Sequence, residues 1–158
     1  MISRRNIRVK VMQTLYTLEA QEQQPEVSAP KVVEPTRILQ KHFDQSRQLL
    51  TYLIYFVTEI TRYAETDSRL RASKHLPSHE DLNVNIKLAG NEFLWKILED
   101  NSWKKAVEMD KPHLQENQEL IRRLFLELAA TEEYKNYIQV EGRERRREKE
   151  MLEFIFSG

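Results

Sequence analysis

The chain has 158 residues, 40% hydrophobic and 32% charged, which suits a single domain with one core and a heavily charged surface. Its 25 basic and 25 acidic residues cancel, which excludes a uniformly basic nucleic-acid coat and shifts interest to where charge is local. The absence of cysteine excludes disulfides, thiolate zinc sites and a cysteine nucleophile. No apolar run approaches the ~18 residues of a membrane span. The basic start is followed by further charge rather than a signal-peptide apolar stretch. A soluble, cytoplasmic protein is expected. With three glycines and five prolines, turns are few, so an all-α chain of long helices is expected.

In chain order, residues 1–22 read as a first helix starting at about Ser3, which is suited to the N-cap. Ile7, Val11, Leu15 and Leu18 give it an apolar stripe, with Met12 and Tyr16 flanking. Residues 23–35 hold Pro25, Pro30 and Pro35 among polar neighbours and read as an irregular connection. From about Thr36 to Ser73 runs one long central helix. Leu39, Phe43, Ser46, Leu50, Leu53, Val57, Ile60 and Ala64 form its expected seam, and Glu65, Asp67, Arg69 and Arg71 mark a solvated end.

Leu82 to Gly90 alternates apolar and polar residues and is expected to be an extended connection. Asn91 is expected to cap a helix through Leu98, Ser102 another, and Pro112 to open a third that carries Leu114 to Leu128. Thr131 marks a further helix start, and Gly142 an interruption before a charged last helix. Trp95, Trp103, Tyr134 and Tyr137 read as packing residues. Leu152, Phe154, Ile155 and Phe156 crowd the end without a polar tail, as expected if the chain is the front part of a longer protein.

Arg4, Arg5, Arg8 and Lys10 precede any acid, the first being Glu19. Cations at a helix N-terminus oppose the helix dipole by about 0.3–1 kcal/mol each, so helix stability does not account for them. Arginine presents a planar fork that suits phosphate and stacks on unpaired bases, which makes these four residues the candidate RNA-binding set. The run from Glu141 to Glu150 interleaves both signs, with Glu141–Arg145 and Arg146–Glu150 at i,i+4, and reads as a solvated face. His75 and His79 are separated by Pro77, no glycine-rich phosphate loop exists, and neither a metal nor another cofactor is expected. The reading is non-enzymatic.

The stretch Arg4-Arg5-Asn6-Ile7-Arg8-Val9-Lys10-Val11-Met12-Gln13-Thr14-Leu15-Tyr16 resembles the opening of the NusB antitermination family, with arginines locked to a Gln-x-Leu-Tyr ending. The resemblance implies a NusB-like helical bundle forming a single domain over 1–158. It also implies action in transcription antitermination or termination on nascent ribosomal RNA. The family binds single-stranded boxA RNA with the ribosomal protein NusE in the elongation complex. Arg4, Arg5 and Arg8 match its RNA-contacting motif, while Leu15 and Tyr16 match positions that pack the first helix. The family's second half has an Asn-Glu pair opening a helix and a Phe-Val-Asn-Gly-like run, neither found here in a matching context. The resemblance therefore rests on the first helix. Two other readings are a NusB-like RNA-targeting domain of a ribosomal RNA methyltransferase and a helical adaptor that binds no RNA.

Overall fold

The computed structural model describes residues 3–22, 34–82 and 84–157. Among them all regular structure is helical, in agreement with the all-α expectation. No helix among the described residues is long and apolar enough to cross a membrane. Contacts divide the chain into two compact units, Met1–Leu50 and Thr51–Gly158, and the boundary falls inside a continuous helix.

The first unit holds α1 (Arg4–Glu22) and the opening turns of α2 (Pro35–Ala72). Ser3 caps α1 as expected, its hydroxyl oxygen accepting the Asn6 N–H at 3.2 Å. Most of the proposed connection, residues 23–33, lies outside the described residues. Pro35, assigned to that connection, instead starts α2, where a fixed φ suits the first helical turn and the missing N–H has no partner to lose.

The expected α2 seam is only partly right. Ile60 and Ala64 are buried, but Leu50 and Leu53 are about half exposed. The buried positions include Thr51, Thr58 and Thr61, which an apolar pattern does not count. These threonines tolerate burial because their hydroxyls are satisfied. Thr58 donates to the Tyr55 carbonyl, Thr61 to the Thr58 carbonyl, and Thr51 to Asp110 Oδ2 at 2.9 Å. Beyond Ala64 the solvated end is as read, with Arg69 paired to Glu65 and Arg71 to Asp67.

On α2, burial pushes the Glu59 carboxyl up, the Arg62 charge opposes this, and Glu116 raises it further. A carboxyl raised in the folded state favours folding most below its unfolded value, and that contribution is lost as pH rises through the folded value. Glu59→Gln is therefore expected to lose less thermal stability than wild type between pH 4.5 and pH 7. An identical pH dependence of the two melting temperatures would refute this.

The second unit continues with α3 (His79–Leu82), α4 (Glu92–Glu99), α5 (Asn101–Asp110), α6 (Gln118–Ala130), α7 (Glu132–Gln139) and α8 (Arg145–Ser157). Residues 82–90 are not simply extended. Leu82 ends α3, and Lys87–Gly90 form a 3₁₀ turn that buries Leu88 and Ala89. Asn91 and Thr131 cap α4 and α7 as expected. Asp100, not Ser102, caps α5: its carboxylate accepts the Ser102 and Trp103 N–H groups, which holds it below the usual carboxylate range. Pro112 opens only a 3₁₀ turn, and α6 begins later under an Asn117 cap, so Leu114 is left outside the helix and exposed.

The core joins Ile60, Tyr63 and Ala64 of α2 to Leu88, Ala89, Ile121, Phe125, Leu128, Tyr134, Tyr137 and Met151. Phe125 sits between Tyr63 and Tyr134, with ring centroids at 5.4 Å and 6.2 Å in tilted and edge-on arrangements that favour the ring quadrupoles. Tyr134 and Tyr137 are buried as read, whereas Trp95 is half exposed. The apolar end is largely covered: Met151 and Leu152 are buried, and Phe154 and Ile155 pack on the core.

One member of the charge run departs from the solvated-face reading. Glu148, on the first turn of α8, is 1% exposed. Its Oε1 accepts the Tyr137 hydroxyl at 2.7 Å, and its Oε2 accepts the Glu92 N–H and an Arg143 N–H, each at 3.0 Å. The Asn91 amide donates to the Glu148 carbonyl while its oxygen caps α4 through Phe93 and Leu94. Arg143 also donates to the Lys87 carbonyl, and Lys87 in turn reaches the Tyr137 and Val140 carbonyls that end α7. This ring of polar contacts ties residues 87–92 to α7 and α8.

Gly90 belongs to the same ring through its lack of a side chain. A Cβ there would run into the Arg143 guanidinium, which Glu148 and the Lys87 carbonyl hold in place. Gly90→Ala is expected to cost about 1–2 kcal/mol, the range for forcing an extra methyl into a packed site. A chemical-denaturation midpoint equal to wild type would show that Arg143 moves aside freely.

Candidate nucleic-acid interface

The candidate site is α1. Its first turn contains no acid and its last turn no base, so the reversed charge polarity holds for the helix as folded. Arg4, Arg5 and Arg8 are exposed. Among the described residues they enter no ion pair, unlike Arg62, Arg71, Arg123 and Arg146.

At 3.6 residues per turn, Arg5, Arg8, Met12 and Tyr16 share one face, with Arg4 and Leu15 at its edge. Lys10 points to the other side and is half buried, so the structure does not bring it together with the three arginines. The expectation that Leu15 and Tyr16 pack α1 is corrected. They are 53% and 75% exposed, and Met12 is 67% exposed. The buried position is Thr14, whose hydroxyl donates to the Lys10 carbonyl at 2.8 Å. In this unit α2 is the described helix that faces α1, and one neighbour covers only a narrow stripe.

Across that stripe lies a groove of about 850 Å³ inside the first unit. Asn6, Val9, Lys10 and Gln13 line it from α1, facing Gln40, Phe43, Asp44, Ser46, Arg47 and Leu50 of α2. Gln40 donates to Asp44 Oδ1, and Ser46 to the His42 carbonyl. The side-chain amides of Asn6 and Gln13 have no hydrogen-bond partner among the described residues. The pattern of charges revealed the arginine face, but the groove needs α2, which no local motif places beside α1.

No protein-family model, curated protein or solved structure matches this chain.

Among the described residues no group of three or more His, Asp or Glu side chains is gathered as metal ligands would be. The arginine face combines fixed positive charge with exposed Met12, Leu15 and Tyr16. Cations beside an exposed aromatic ring are what a single strand with unstacked bases needs, because phosphates pair with the guanidinium groups while bases stack on the ring.

Proposed function

We propose that this protein binds single-stranded RNA through α1 and acts as a NusB-like transcription antitermination or termination factor on a boxA-like element. NusE and the elongation complex are the proposed partners. One observation carries the reading: Arg4, Arg5 and Arg8 stand exposed and, among the described residues, without acidic partners at the end of the helix where they oppose its dipole. A polyanion at that end satisfies all three. The exposed Tyr16 on the same face supports a single strand over a duplex, since paired bases offer no free ring face.

The test is a binding titration with a boxA-like and a scrambled single-stranded RNA at two salt concentrations. Wild type is compared with the Arg4→Ala/Arg5→Ala/Arg8→Ala variant. The variant is expected to bind both RNAs more weakly. The reading fails if wild type binds neither RNA at low salt, or if the variant binds as well as wild type.

A further inference from the structure

The geometry points to the α1–α2 groove as a pocket for an unpaired base of the bound strand, with Asn6 and Gln13 reading its edge. This inference rests on the RNA-binding reading above and adds to it a place where sequence is distinguished. Asn6 and Gln13 are seven residues apart, two turns of helix, so their amides line the same side of α1. Each amide carries both donors and an acceptor, the combination that matches adjacent donor and acceptor atoms on a base edge. Both amides are unengaged among the described residues, whereas Gln40 and Ser46 in the same groove already have partners.

The remaining walls fit the same ligand. Val9, Phe43 and Leu50 supply apolar surface for the flat face of a base, and Lys10 supplies a cation for the phosphate that follows it inward. Arg5 lies one turn before Val9 on the row that borders the groove. A strand held by phosphate contacts on the arginine face therefore has a short route over that row. Phosphate contacts alone hold any sequence equally, and discrimination requires groups that meet base edges. On the groove side of α1, Asn6 and Gln13 are such groups and are unengaged among the described residues.

The experiment compares wild type with Asn6→Ala/Gln13→Ala on the boxA-like and scrambled RNAs, using the arginine variant as reference. Among the described residues neither amide supports the fold by a hydrogen bond, so helicity by circular dichroism should be unchanged. The double variant is expected to lose about tenfold in affinity for the boxA-like RNA and less than about twofold for the scrambled one, with an unaltered salt dependence. If wild type fails to tell the two RNAs apart, or the double variant keeps the full preference, the groove does not read bases. Arginine-dependent binding would then leave the RNA-binding reading standing. Absence of any RNA binding by wild type would end both.

Discussion

Glu148→Ala is expected to lower the stability of the second unit by about 3 kcal/mol, a large part of the roughly 5–15 kcal/mol that holds a typical domain folded. The substitution leaves the Tyr137 hydroxyl and the Glu92 N–H without their acceptor at a site that is 1% exposed. Each orphaned buried polar group costs about 1–3 kcal/mol. Arg143, 45% exposed, can turn to water, which keeps the total toward the lower end of the range for breaking a buried pair. Both tryptophans, Trp95 and Trp103, belong to this unit, so their fluorescence reports its unfolding. The urea midpoint is expected about 1–2 M lower with an unchanged slope. Glu148→Gln, which keeps an acceptor oxygen of the same reach, is expected to lose less. An unchanged midpoint in the alanine variant would mean that the ring of contacts is not holding α8.

Removal of the three arginines is expected to reduce RNA affinity about 100-fold at low salt, taking each phosphate contact as worth roughly 1 kcal/mol. Three arginine contacts to a single strand contribute about −2 to the slope of log affinity against log salt in wild type. In the triple variant that share should be lost, leaving only the shallow slope of a Lys10 contact. The two readouts are independent, since a lost stacking contact lowers affinity without changing the slope. The arginines make no ion pair among the described residues, so their removal does not disturb the helix. It removes three charges that oppose the dipole and is expected to leave α1 at least as helical.

Much of the fold was legible because caps and breakers act locally. Ser3, Asn91, Thr131 and Gly142 each mark a boundary through chemistry within three residues of themselves. Where the reading failed, a non-local partner decided. Thr58 and Thr61 are buried by helices far along the chain, and their hydroxyls hide their polarity inside α2. By sequence Glu148 reads as one more solvated charge, between Arg147 and Lys149. Its partners Tyr137, Asn91 and Glu92 lie 11, 57 and 56 residues away, beyond the reach of any spacing rule.

The candidate site divides the same way. Arg4, Arg5 and Arg8 were visible as charge in the wrong place on a helix, a property of sequence order alone. The exposure of Tyr16 and the groove floor at Phe43 were not visible, because both depend on which side of α1 meets α2.

If α1 grips RNA as proposed, its inverted charge order links its folding thermodynamically to that ligand. Three positive charges repel one another and the helix end, so the free helix is most prone to fray in the turn that would grip a strand. Phosphates placed there do what first-turn acids do in other helices, and whatever free energy they return to the helix appears as binding affinity. Acids introduced at these positions would stiffen the helix and abolish the grip. On that reading, stability of the first helix and tightness of the grip depend on the same three residues in opposite directions.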